Sequence, residues 1–170
     1  MIAPKDRSRR RFLAIAAAGA AAVAGGCGFR LRGDVTLPFQ TVYISAPDNS
    51  AFAAELSRAL GGGSNVAIVP TPGEADAVLE ILGDTREKQI LTLTSAGTVG
   101  EFLLRYRVAF RLRAKDGREL IPRSDILLVR DYTFNNSQIL AKDAEESLLY
   151  RDMQTDAVQQ ILRRLRSVKI

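Results

Sequence analysis

The chain has 170 residues, with 24 basic and 19 acidic side chains, no histidine, no tryptophan and a single cysteine, Cys27. Without histidine or a second cysteine, His-dependent catalysis, the usual His/Cys zinc sites and an intrachain disulfide are excluded. The net charge of +5 overstates the basic character: residues 1–26 carry Lys5, Arg7, Arg9, Arg10 and Arg11 against Asp6 alone, and beyond them 19 basic residues face 18 acidic ones, so a nucleic-acid reading built on overall charge loses its footing.

The first element in chain order is a targeting segment. Arginines precede an apolar core, Phe12 to Val23, and small residues lead into Cys27. This is the build of a signal peptide, and a core of about a dozen residues is too short to span a bilayer, which takes roughly 20. A cysteine directly after small residues resembles a bacterial lipobox, with Ala24 where leucine is usual. Residues 1–26 are therefore expected to be removed, and Cys27 to carry a covalent diacylglycerol and an N-acyl chain. Ser8-Arg9-Arg10-Arg11-Phe12-Leu13 resembles the twin-arginine export signal, with Ala14 in place of the usual lysine; a general secretory signal with extra arginines fits the same residues. Gly28 follows the cysteine. In lipoproteins an aspartate there retains the protein in the inner membrane, so the resemblance implies an outer-membrane destination.

Residues 27–40 read as a lipidated tether, and 41–170 as one domain, a length that allows a genuine core. Thr41–Ser45 is a short strand. Pro47-Asp48-Asn49-Ser50 is a helix-start signal, and Phe52, Leu56, Ala59 and Leu60 then recur at helical spacing until Gly61-Gly62-Gly63. Val66–Pro70 is a short strand or extended segment, and Pro70-Thr71-Pro72-Gly73 turns the chain. Ala77–Thr94 reads as a long strand with a break near Gly83-Asp84, and Ser95–Thr98 as a loop.

The clearest period-two pattern follows. Phe102, Leu104, Tyr106, Val108, Phe110 and Leu112 fall on one face, and Arg105, Arg107, Arg111 and Arg113 on the other, as in a strand with one face against a core. Asp116-Gly117 signals a hairpin turn. The return strand, Glu119 to Phe134, is interrupted by Pro122, which demotes its early part to an edge or bulge. A final helix is expected from about Ala144 to Val168, opened by a capping-box-like Asp143 and Glu146. Leu149, Met153, Ala157, Ile161 and Leu165 line its apolar side, and Arg163, Arg164, Arg166 and Lys169 crowd its end. The resulting class is α+β: two helices packed on one face of a mostly antiparallel, roughly four-stranded sheet.

The other sheet face then carries Arg105, Arg107, Arg111 and Arg113 as a cationic stripe about 27 Å long. Two readings stay open: a site for a phosphorylated lipid or an acidic protein wall, or a solvated face paired with acids such as Glu80, Asp84, Glu87 and Asp131. No aromatic side chains interleave with the arginines, so base stacking by a nucleic acid has no platform.

An ordered series of short motifs, taken together, resembles the LptE-like family of lipopolysaccharide-assembly lipoproteins. Its carriers are Cys27-Gly28-Phe29-Arg30-Leu31-Arg32-Gly33, Gly100-Glu101-Phe102-Leu103-Leu104, Asp116-Gly117, Arg130-Asp131-Tyr132, and Ile139-Leu140-Ala141-Lys142-Asp143-Ala144-Glu145-Glu146, followed by Gln160-Ile161-Leu162-Arg163-Arg164-Leu165. The resemblance implies a non-enzymatic, lipid-anchored protein on the periplasmic face of the outer membrane. It implies a 1:1 partnership with an LptD-like β-barrel, which such proteins plug and help to fold, and binding of lipopolysaccharide in transit. Within the family-like segment, Lys142 is the expected contact for the anionic ligand, in a loop just before the last helix; an ordinary exposed lysine is the competing reading. The opposite loop, Ser95 to Gly100, holds no basic residue. A competing function is an auxiliary lipid-binding lipoprotein of another envelope transport or secretion system.

Overall fold

The computed structural model describes residues 37–169; the expected signal peptide, Cys27 and most of the tether lie outside them. Five strands form one sheet: β1 (Thr41–Ser45), β2 (Ala67–Ile68), β3 (Ala77–Leu93), β4 (Val99–Ala114) and β5 (Glu119–Thr133), in the order β2-β1-β3-β4-β5. The fifth strand, relative to the four expected, is the two-residue β2, which pairs in parallel with β1. β1 is also parallel to β3, whereas the three long strands pair antiparallel. Two helices, α1 (Ala51–Gly63) and α2 (Ile139–Arg166), complete the α+β architecture.

The apolar periodicities explain the layering. Phe52, Leu56 and Leu60 of α1 and Met153, Ala157, Ile161 and Leu165 of α2 pack in one core with Leu79, Leu104, Tyr106, Val108, Phe110 and Leu112 of the sheet. Leu37 and Phe39, inside the stretch read as tether, are buried in the same core, so the domain starts ahead of β1.

Local chemistry sets the boundaries. Ser50 caps α1 by accepting a hydrogen bond from the Ala53 N–H at 3.1 Å. Gly117 turns the β4–β5 hairpin at φ +86°, where a side chain would be strained. The expected break near Gly83 is a bulge: β3 runs unbroken, with its register against β4 shifting between Ile81 and Gly83. Pro122 lies within the edge strand β5, at the register shift against β4 between Ile121 and Ser124, where the ladder is interrupted.

The last helix begins at Ile139, five residues before the expected start. Asn135 accepts from the Ser137 N–H at 3.0 Å and caps a short 3-10 turn that runs straight into α2. Asp143 and Glu146 therefore sit inside the helix and do not form its capping box. α2 lies antiparallel to β3 and β5: Glu146 meets Lys88, the Tyr150 hydroxyl donates to the Glu87 carbonyl, Gln154 meets Arg86, and Arg164 reaches Phe110.

Candidate functional site

Two cationic features emerge, one on the helix-free sheet face and one at the start of α2. On β4 the arginine stripe divides. Arg111 and Arg113 both donate to the Glu80 carboxylate across the β3–β4 pair. Burial alone would raise the Glu80 pKa, but the two guanidinium groups outweigh it and hold the carboxyl below its ordinary value of 4.5. This half of the stripe is the solvated, acid-paired face that was the competing reading. Of the other acids considered as partners, Asp84 accepts from the Tyr106 hydroxyl at 3.2 Å on the helix side.

Arg105 and Arg107 differ. Arg105 stands between Glu87 and Val129, and Arg107 between Thr85 and Leu127, yet among the described residues neither forms an ion pair. Their β5 neighbours Leu127 and Val129 are exposed apolar side chains, at 51% and 40%. The outer face thus presents two guanidinium groups without an ion pair, Arg105 opposite Glu87 and Arg107 opposite Thr85, beside an apolar strip.

At the start of α2, Lys142 lies in the helix and not in a loop. Its side chain is only 15% exposed, pairs with Glu145 at 2.8 Å and reaches the Thr133 hydroxyl at 3.5 Å. Close by is a cation that the sequence reading did not single out, Lys88. Its ammonium sits 4.1 Å from the centre of the Phe102 ring, with Tyr132 and Phe134 at 5.8 and 6.0 Å. It pairs with Glu146 at 2.5 Å, and Tyr132 donates to the same carboxylate at 2.7 Å. Burial would lower the Lys88 pKa, but Glu146 outweighs it and the ammonium is held above its ordinary value. Glu146 is correspondingly lowered, against the upward push of its own burial.

The β3 bulge is what brings Lys88 there. Leu79 and Ile81 face the helices; continued alternation would have placed Thr85 and Glu87 on that side. The extra residue flips the phase, so that Asp84, Arg86 and Lys88 point beneath α2. The signal in the sequence was the period-two series Asp84, Arg86, Lys88 directly after Gly83.

The same end of the molecule exposes an apolar crown: Ile90 and Leu93 near the β3–β4 loop, at 58% and 62%, and Ile139 and Leu140 at the start of α2, at 51% and 86%. A shallow depression of about 570 Å³ runs along Asn136 to Ala141. Cations, aromatic rings and exposed aliphatic side chains gathered at one pole suit an amphipathic anionic ligand or partner. Among the described residues there is no cluster of three metal-ligating side chains, and no helix is long and apolar enough to cross a membrane.

An α+β domain with two helices on one sheet face and a cationic, apolar-edged outer face has the build of a small surface-binding domain. Comparison with known proteins narrows this. The family model LptE, described as lipopolysaccharide-assembly, matches residues 39–165. The chain is 30% identical over 165 residues to the LPS-assembly lipoprotein LptE of Yersinia enterocolitica, covering 92% of this chain and 76% of that one. It is 26% identical to the LptE of Pectobacterium atrosepticum, covering 94% and 88%. Among solved structures, lipoprotein B of Nitrosomonas europaea superposes with a TM-score of 0.73 at 43% identity, covering 82% of this chain and 91% of the other. The rare lipoprotein B of Shewanella oneidensis does so at 0.67 and 27%, covering 75% and 95%. The chain belongs to the LptE family of lipopolysaccharide-assembly lipoproteins, and the reading as an auxiliary lipoprotein of an unrelated transport system is set aside.

Proposed function

We propose that this protein is a lipid-anchored outer-membrane lipoprotein, held on the periplasmic face through acylated Cys27. In this reading it seats 1:1 in an LptD-like β-barrel, assists the folding of that barrel, and binds lipopolysaccharide as it passes to the outer leaflet. The role is non-enzymatic: the domain acts through its surface. The observation that carries the reading is the pair Arg105 and Arg107, without an ion pair among the described residues and flanked by exposed Leu127 and Val129. Guanidinium groups take phosphate oxygens bidentately, and the apolar strip accommodates acyl chains or a barrel wall. Lys142 and Lys88 add a second cationic point, one that a ligand reaches only by competing with Glu145 and Glu146. Arg111 and Arg113, paired with Glu80 and, for Arg111, with Glu119 at 4.0 Å, serve the fold more than the ligand.

The test is purification of tagged protein from detergent-solubilised outer membranes. A stoichiometric large β-barrel with lipopolysaccharide in the same fraction is the expected result. An inner-membrane transporter in its place, or normal surface lipopolysaccharide after depletion of the protein, would overturn the reading.

A further inference from the structure

The two edges of the sheet differ. One is β2, two residues long. The other is β5, whose register against β4 runs without a shift from Ser124 to Thr133, about 34 Å of strand. Phe134 donates its N–H to the Gly100 carbonyl at 2.8 Å. Alternation along the antiparallel pair therefore gives the even-numbered residues of this stretch to β4, and turns the N–H and C=O of Asp125, Leu127, Val129 and Asp131 to the free edge. Edges are normally blunted by lysine, proline or a bulge. Residues 124–133 contain neither lysine nor proline, and Pro122 and its register shift stop short of them. Among the described residues one side chain bonds to this row, that of Arg130, which donates to the Val129 carbonyl at 3.0 Å and to Asp156 at 3.1 Å.

We propose that the free edge of β5 takes up an extended segment of the barrel partner as a sixth strand of the sheet, main chain to main chain. The inference deepens the barrel reading above and rests on it. A row of outward amides and carbonyls is matched by one chemistry, a second extended backbone. The side chains on that row narrow the choice. Asp125, Leu127, Val129 and Asp131 are all exposed, in the order acid, apolar, apolar, acid, and among the described residues neither aspartate forms an ion pair. The β4 arginines stand opposite Leu127 and Val129, not opposite the aspartates. Like charges directly opposite each other destabilise a strand pair, and unlike charges stabilise it. A second copy of β5 laid antiparallel, with Leu127 opposite Val129, would set Asp125 opposite Asp131. Slipping that pairing by two residues sets Asp125 opposite Val129, or Asp131 opposite Leu127. The edge thus disfavours self-pairing and fits a foreign segment that carries a basic, two apolar and a basic residue at every second position. Strand addition leaves the outer face of β4, with Arg105 and Arg107, uncovered.

The experiment uses the full chain in cells. Variant and parent carry different tags and are produced together, and their ratio is measured in the barrel-bound fraction. Val129→Ala trims the side chain and keeps the N–H, whereas Val129→Pro also removes an N–H that β4 does not use. Val129→Pro should fall about fivefold below Val129→Ala, the worth of one ordinary hydrogen bond. D125K/D131K should fall on the order of tenfold below the parent, by setting like charges against the basic residues of the segment. Amide hydrogen exchange supplies the backbone readout. Leu127 and Val129 should exchange rapidly in the released protein and about tenfold or more slowly in the complex, while Leu128 and Arg130, bonded to β4, should be slow in both. Equal recovery of Val129→Pro and Val129→Ala, both folded by circular dichroism, or unchanged exchange at Leu127 and Val129, would overturn the proposal and leave the barrel reading standing. Pairing of two copies of this chain through β5 would overturn it as well. A parent that recovers no barrel would overturn both readings together.

Discussion

Two pairs of arginines on one strand have opposite fates because of a single acid on the neighbouring strand. Glu80 stands opposite Arg111 and draws in Arg113 as well, while Arg105, opposite Glu87, and Arg107, opposite Thr85, form no ion pair among the described residues. Charge reversal at Arg105 and Arg107 should weaken lipopolysaccharide or barrel binding and leave stability within about 0.5 kcal/mol, as exposed substitutions usually do. Binding measured by copurification, alongside a denaturation midpoint, checks both halves. Glu80→Gln should instead cost about 1–2 kcal/mol by weakening charge-assisted hydrogen bonds. The pH dependence follows from the direction of the shift. The folded pKa of Glu80 lies below its ordinary 4.5, so its contribution is complete above that value and disappears as pH falls through the folded pKa. The stability gap between the parent and Glu80→Gln should therefore be full at neutral pH and close under acid, by urea denaturation across that range. A gap unchanged down to the acid limit would mean that the ion pairs do not form in solution.

Strand β3 and helix α2 depend on each other. The bulge after Ile81 turns Asp84, Arg86 and Lys88 toward α2, whose Glu146, Tyr150 and Gln154 meet this polar row, while Met153, Ala157, Ile161 and Leu165 seal the apolar half. Arg86 lies over Tyr106 and Tyr150 and donates to Gln154 at 2.9 Å, so the row has partners at each step. Ile161, fully buried, should cost about 2–5 kcal/mol when truncated to alanine. Lys88→Met should keep the packing among Phe102, Tyr132 and Phe134 while leaving Glu146 without its ammonium partner. The Glu146 carboxyl pKa should then rise, which carboxyl-resolved NMR titration would read; no rise would place the ammonium elsewhere than among those rings. The helix face, the period-two face of β4 and the Asp116-Gly117 turn were legible in the sequence because each is a local pattern. The phase flip in β3 was legible only as a break near Gly83-Asp84, because a bulge is defined by a partner strand that a single segment does not reveal.

Across the whole molecule, both helices and the three long strands share one core. Unfolding should be a single cooperative transition, with far-ultraviolet circular dichroism and tyrosine fluorescence coinciding; separate midpoints would show that the sheet end near the crown opens independently. Charge and apolar surface are distributed between the poles: exposed aliphatic residues with caged cations at one end, and at the other the chain entry, the arginines at the end of α2 and charges of both signs on the hairpin. On the proposed reading of an acylated Cys27 and a barrel partner, Cys27→Ala should release the protein from membranes of cells that lack the barrel and leave it bound in cells that have it, a contrast that membrane fractionation would measure.

The sequence by itself determined the α+β class, the apolar faces of both helices and of β4, the hairpin turn and the family resemblance, because periodicity, turn chemistry and motif order are written along the chain. Tertiary structure alone decided which cations are free. Ion pairing depends on which acid a strand register brings within reach, and here the register of β3 against β4 set Glu80 beside Arg111 and Arg113, left Arg105 and Arg107 without an ion pair, and, through one bulged residue, drew Lys88 beneath the last helix.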